Sequence, residues 1–218
     1  SGLAFIKNDQ IYIRSFQASL GGGPVQASGQ VRFGEKGVEE ADIQFVGQNM
    51  RLSVFEKTRT VADGTLRYVR REGKNILEGD LFFQEVWWGR ELWDKLSFST
   101  SPYGGDEAKK SPLGDLSLNL RLRANDNVWM ENSLGRIRAR LDLTISGPAA
   151  NPVITGEIDT LSGTFFFQDR DFKVVRGRLS FFNPLVIDPY IDFQGETYVK
   201  DYHVVFNLTG LISNLKPE

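Results

Sequence analysis

The sequence predicts an all-β protein: one elongated, strongly curved antiparallel sheet with an apolar groove on its inner side. Two observations carry this fold class. Two long runs of strict apolar–polar alternation lie in the second half of the 218-residue chain, and turn signals separate shorter alternating segments elsewhere.

The long runs cover residues 116–124 and 137–145, where apolar side chains alternate with Arg, Asp, Asn, Ser and Thr. A period of two places all apolar side chains on one side of a strand. Each run extends over about 30 Å, well beyond the usual strand of about five or six residues. Such one-sided strands must pack against something apolar.

Shorter alternating segments occupy residues 25–33, 43–54, 65–69, 76–83, 173–181, 191–199 and 204–212. Gly, Pro, Asn and Asp clusters between them indicate turns, including Asp63-Gly64 and 125–127. The pattern predicts roughly fourteen to sixteen strands, which would stack to roughly 70 Å. We expect one domain over 1–218, in which stretches 1–100 and 113–218 are joined by a flexible loop at 101–112.

The motif of Gly, a polar residue and an aliphatic residue recurs at 29–31, 79–81 and 156–158. Its unequal offsets predict an elongating sheet with variable insertions rather than a strict solenoid. The chain begins within a strand-like segment without Met and stops at Pro217-Glu218, so we expect a fragment of a much longer chain.

One segment departs from the strand pattern. Trp88, Leu92 and Leu96 follow helical spacing, which predicts a short helix near 87–96 that Gly89 interrupts. The helix either caps one edge of the sheet or serves as a lid or interfacial anchor, since Trp favours the boundary between apolar and wet phases.

Composition argues against catalysis and against nucleic-acid binding. The 26 basic and 28 acidic residues nearly balance, so the chain has no basic footprint for nucleic acid, and it has no cysteine. The single histidine, His203, occupies a polar-face position, and the acidic residues are scattered without the spacing of a metal site. We expect no catalytic residue, no cofactor and no metal.

The apolar faces are the candidate site. A β-sandwich core would explain them, but a single curved sheet that lines a groove for lipid acyl chains fits the long strands better. The predicted lining, for lipid or apolar polypeptide, is Leu116, Leu118, Leu120, Leu122, Ile137, Ala139, Leu141, Leu143, Ile145, Ile158, Phe165, Phe167, Val175, Leu179, Phe181, Ile191, Phe193, Val204, Phe206 and Leu208.

Several segments in the second half of the chain resemble a known protein family. The segments GPAANPVITGEI (147–158), LSGTFFFQDRDF (161–172), RGRLSF (176–181) and DPYID (188–192), followed by LTG (208–210), resemble the C-terminal domain of the TamB family. TamB is the inner-membrane component of the bacterial translocation and assembly module and is related to AsmA-like bridge proteins. The resemblance covers residues 136–218 best.

The resemblance implies a taco-like sheet with an apolar interior, located in the periplasm of a diderm bacterium. It implies an inner-membrane anchor upstream of this chain and an outer-membrane barrel partner of the TamA type. Its implied roles are phospholipid passage between membranes and outer-membrane biogenesis. The alternative is a chaperone-like scaffold that assists assembly of outer-membrane β-barrel or autotransporter proteins. We also expect the isolated fragment to hold phospholipid or to self-associate.

Overall fold

The computed structural model describes residues 1–35, 37–52, 57–89 and 115–215, and these form one sheet of twelve strands in chain order. The strands are β1 (Gly2–Lys7), β2 (Gln10–Leu20), β3 (Gly23–Gly34), β4 (Gly37–Leu52), β5 (Thr58–Arg71), β6 (Lys74–Trp88), β7 (Leu116–Asn132), β8 (Gly135–Pro148), β9 (Val153–Phe167), β10 (Arg170–Phe181), β11 (Tyr190–Val199) and β12 (Tyr202–Leu211). A 3-10 turn, Ile212–Asn214, follows β12. Within the described ranges, no helix has the length and apolarity to cross a membrane.

The all-β, curved-sheet prediction is confirmed, and the sheet does not close into a barrel. Neighbouring strands pair antiparallel with one exception: β6 and β7 run parallel, with Leu77 opposite Leu118. Because β6 and β7 run in the same direction, the last residue of β6 and the first residue of β7 lie at opposite ends of this strand pair. The predicted loop at 101–112 lies outside the described residues.

The described residues form twelve strands rather than the fourteen to sixteen expected, and two predicted turns lie inside strands. Asp63-Gly64 belongs to β5, and residues 125–127 belong to β7. Residues 125–127 are the bulge of β7, and Asp63 lies opposite the bulged residues 48–49 of β4, so neither segment reverses the chain. Twelve strands stack to about 50 Å rather than 70 Å.

The predicted helix near 87–96 is wrong at its start. Trp87 and Trp88 end β6, where they pair with Trp129 and Met130 of β7. Aromatic side chains favour a pleated surface with cross-strand partners, and that preference prevails here over the helical spacing. Residues 90–96 lie outside the described residues.

A row of bulges crosses the sheet from β4 to β10. The register shifts at 48–49 in β4, at Gln84 in β6, at 125–127 in β7, at Leu161 in β9 and at Val175 in β10. A bulge bends its strand and increases the local twist. Because these five bulges lie at about the same level between β4 and β10, they bend the sheet along a common line.

Side-chain hydrogen bonds connect several of these bulges. The Asp63 carboxylate accepts from the backbone N–H of Asn49 at 2.7 Å and from Nε2 of Gln84 at 2.6 Å. Nδ2 of Asn127 donates to the Gln84 carbonyl at 2.8 Å. Nε of Arg138 donates to the Asp126 carbonyl at 2.7 Å. The bend is therefore specified by polar contacts from β4 to β8.

Candidate functional site: the apolar inner face

Strand register places most of the apolar strand residues on one side of the sheet, which we call the inner face. Leu120 pairs with Ile145, and Leu141 pairs with Ile158. Directly paired residues in neighbouring strands point to the same side of a sheet. The same pairings continue outward through Leu179 with Ile191 and Phe193 with Leu208.

Every predicted lining residue except Val175 occupies an inner-face position by this register. Val175 lies at the bulge of β10 and is 51% exposed, next to Arg176. The bulge shifts the alternation by one residue, so Phe172 and Val174 are the buried inner-face residues of β10. Strict alternation read through residues 173–181 could not detect the shift.

The first half of the chain extends the inner face, a contribution that the predicted lining omitted. Residues of β2 to β6 continue the same side: Ile13, Val25, Ile43, Phe45, Leu66, Leu77 and Leu81. The alternation in segments 25–33, 43–54 and 76–83 carried the signal for these positions. The apolar surface is thus continuous across the parallel pair, where Leu81 lies opposite Leu122.

No second layer of described residues covers the inner face. In the described part of the chain no leucine or isoleucine is buried, and the buried apolar residues are mainly alanines such as Ala62 and Ala124. In a sandwich, the large aliphatic residues that face inward would be the most buried of all. Here Leu116, Leu118 and Leu120 are only half-buried.

Aromatic rings close part of the inner face between β9 and β12. The ring centroid of Phe206 in β12 lies 5.6 Å from that of Phe165 and 5.1 Å from that of Phe167, both in β9. Phe172 and Phe193 fill the space between, with Phe193 5.3 Å from Phe165. On a flat sheet β9 and β12 would lie about 14 Å apart. These rings meet because the sheet curls toward its inner face.

The opposite side, the outer face, carries cross-strand ion pairs. Arg67 Nη2 lies 2.6 Å from Asp42 Oδ2, and Arg121 Nη2 lies 2.8 Å from Asp142 Oδ2. The hydrogen bond from Arg67 holds the pKa of Asp42 below its usual range, and that from Arg121 does the same for the pKa of Asp142. A polar outer face and an apolar inner face give the sheet two chemically distinct sides.

Two polar features of the outer face do not form a catalytic arrangement. A depression of about 600 Å³ is lined by Gln30, Asp42, Gln44 and Arg67, among which the two charged groups already pair with each other. His203 is paired with Glu196 at 3.1 Å and stacks on Tyr198. This places His203 on the polar face, as the alternation predicts.

Comparison with known proteins agrees with this architecture. The family model of the TamB C-terminal domain matches residues 14–218, almost the whole chain. No curated protein matches the chain.

Proposed function

The match over residues 14–218 shows that the chain belongs to the TamB family, and from this membership we propose that its inner face carries phospholipid acyl chains between the inner and outer membranes. The family consists of bacterial envelope proteins that act as bridges, works with TamA-type partners and is not known for enzymatic activity. The finer proposal concerns the cargo and the surface that holds it.

The half-buried leucines of the inner face are the observation that carries the proposal. Leu118, Leu120 and Leu122 lie on the inner side of β7, next to Leu143 and Ile145 of β8. All of these side chains are partly exposed to water. Each methylene that leaves water for an apolar surface gains about 0.8 kcal/mol. An acyl chain laid on this face therefore stabilises both itself and the exposed leucines.

The inward-facing positions of β8, β9, β11 and β12 carry no charged residue. Two arginines do occupy inward-facing positions, Arg70 and Arg170, and both lie near the ends of their strands, β5 and β10. A charge on the path would cost a passing acyl chain several kcal/mol, because an ion would have to lose its water. The arginines and aspartates of β8 and β9, such as Arg140, Asp142 and Asp159, lie on the outer face.

Leu120→Arg and Leu141→Asp test the proposal, with Asn119→Arg as the matched outer-face control. We expect both inner-face variants to keep most of their thermal stability while they lose bound phospholipid and fail to restore envelope function in cells. The control should retain both properties, because Asn119 is exposed on the outer face.

A closed core predicts the opposite result for the same variants. A charge buried without a partner costs about 3–5 kcal/mol, so circular dichroism melting would then show loss of the fold. Retained phospholipid and retained envelope function in a folded Leu120→Arg protein would also contradict the proposal.

We propose the periplasm of a diderm bacterium as the location and a TamA-type outer-membrane barrel as the partner of the full protein. A chaperone-like scaffold for outer-membrane proteins is the alternative function. It is favoured by the open sheet, since among the described residues β12 pairs only with β11, which leaves a second edge to which a client strand could add. A client peptide that binds Leu120→Arg as tightly as the unaltered chain would favour strand capture at an edge.

A further inference from the structure

The connection between β10 and β11 differs from the other hairpins of the sheet. Most described hairpins reverse in two residues, as at 168–169 and 200–201, whereas this connection spans residues 182–189. Three of its large apolar side chains point into solvent: Leu185 is 86% exposed, Phe182 61% and Val186 58%. We call residues 182–189 the apolar loop.

Hydrogen bonds fix the base of the apolar loop to the rest of the structure. The carboxylate of Asp188 accepts from the backbone N–H of Ser213 at 3.0 Å and from its hydroxyl at 2.6 Å. The N–H of Ile212 donates to the carbonyl of Pro189, which is fully buried. These contacts fasten the loop to the 3-10 turn after β12.

The tip is also ordered within itself. The side chain of Asn183 accepts a hydrogen bond from the N–H of Leu185 at 2.9 Å, and the N–H of Asp188 donates to the carbonyl of Val186 at 3.0 Å. These local bonds fix a turn that presents Leu185 and Val186 outward. An apolar tip that is held out into water is costly unless it is covered by a partner.

The chemistry of the loop fits a lipid bilayer. Two aliphatic residues form the tip, and two aromatic residues, Phe182 and Tyr190, stand behind them with ring centroids 6.5 Å apart. Aliphatic side chains at the tip suit the acyl-chain region of a bilayer, and aromatic side chains nearer the sheet suit the headgroup region. Asp188 is the one charged residue of the loop, and it faces Ser213 at the base.

We propose that the apolar loop is a membrane-contact site that inserts Leu185 and Val186 into the surface of a bilayer. Phe181, at the end of β10, belongs to the inner face and leads directly into the loop. The contact would thus bring the inner face to the bilayer. This inference goes beyond the proposed function and does not depend on the identity of the cargo.

The absence of cysteine from the sequence makes a single-label experiment direct. Leu185→Cys is labelled with an environment-sensitive fluorophore and mixed with phosphatidylcholine vesicles. Leu161→Cys is the matched control, because Leu161 is also exposed but lies at the bulge of β9. We expect a blue shift for the label at 185 and none at 161, with little dependence on salt because the tip is uncharged.

Vesicle flotation provides the second measurement. The double variant Leu185→Asp with Val186→Asp should lower the bound fraction at least tenfold, whereas Leu161→Asp and the outer-face variant Asn119→Arg should bind as the unaltered chain does. Equal binding by the double variant, or no blue shift at 185, would overturn the proposal. A blue shift that follows protein concentration without vesicles would also overturn it, since it would indicate contact between copies of the chain.

Discussion

Single glycines allow the strands of the inner face to approach closely. Gly79 and Gly156 have φ values of +140° and +115°, and a Cβ at either position would lie 2.1–2.2 Å from a carbonyl oxygen of the next strand. Both face large neighbours, Leu66 and Leu143 respectively. The recurring motif of Gly, a polar residue and an aliphatic residue thus alternates small and large side chains on the inner face, with the polar residue outward.

On the outer face, the carboxylate of Asp159 links three neighbouring strands through ion pairs with arginines. Partial burial raises the pKa of Asp159, but hydrogen bonds donated by Arg178 and Arg140 outweigh this and hold the pKa below its ordinary value. The carboxylate lies 2.6 Å from Nε of Arg178 and 3.1 Å from Nη2 of Arg140, so it joins β8, β9 and β10.

We therefore expect Asp159→Asn to lower the melting temperature at pH 7 by a few degrees. A carboxylate with a lowered folded-state pKa contributes stability above its unfolded pKa, about 3.9, and loses it as pH falls through the lower folded value. The difference in melting temperature between the variant and the unaltered chain should thus become smaller below about pH 4. Thermal melts from pH 7 to pH 3 measure this, with exposed Asp171→Asn as the control. A difference that stays constant across this range would refute the assignment.

At the scale of elements, the bulges carry the bend of the sheet. Asp63 in β5 accepts hydrogen bonds from the bulged segments of both neighbouring strands, through Asn49 in β4 and Gln84 in β6. Asn49 has a φ of +49°, a left-handed conformation that asparagine tolerates better than most residues. The bend therefore depends on particular side chains and not only on overall twist.

Asp63→Ala should destabilise the sheet by about 1–3 kcal/mol, because it removes the acceptor of two hydrogen bonds. Denaturant unfolding measures the loss, and Asp171→Ala, on exposed β10, should change stability little. Hydrogen exchange should increase at Asn49, whose N–H loses its partner. Unchanged protection at Asn49 would show that the bulge does not depend on Asp63.

The sequence predicted the elements with alternating faces and missed the places where alternation is interrupted. Residues 116–124 and 137–145 lie on the strands and faces that their pattern indicates. Residues 125–127 were assigned to a turn because bulges and turns favour the same residue types, and Asp63-Gly64, which lies opposite the bulge of β4, was assigned to a turn on the same signal. Val175 was placed on the inner face because strict alternation was read through the bulge of β10. The parallel pairing of β6 with β7 depends on contacts between distant segments, which local periodicity does not encode.

At the scale of the whole molecule, an apolar surface spans the twelve strands, with Arg70 and Arg170 at inner-face positions near the ends of β5 and β10. Most of its large aliphatic residues are half-buried, and among the described residues the terminal strands β1 and β12 each pair with a single neighbour. Exposed β1 residues such as Ile6 add to this surface. Soluble monomers rarely leave contiguous apolar patches larger than a few hundred Å² uncovered.

We therefore expect the lipid-free chain to self-associate through inner faces or strand edges. Light scattering over a range of concentrations should show a mass that rises with concentration and falls when a mild detergent is added. Leu120→Arg should weaken the association if inner faces meet. A monomer at every concentration, without ligand or detergent, would mean that the inner face is covered by the chain itself.

The proposal that the inner face holds phospholipid is tested most directly by mass spectrometry of organic extracts from protein purified without detergent. We predict phospholipid in the extract of the unaltered chain and of Asn119→Arg, and a strong reduction for Leu120→Arg and Leu141→Asp at equal amounts of folded protein. Extracts of the unaltered chain without phospholipid, or with no more than those of Leu120→Arg, would contradict the account.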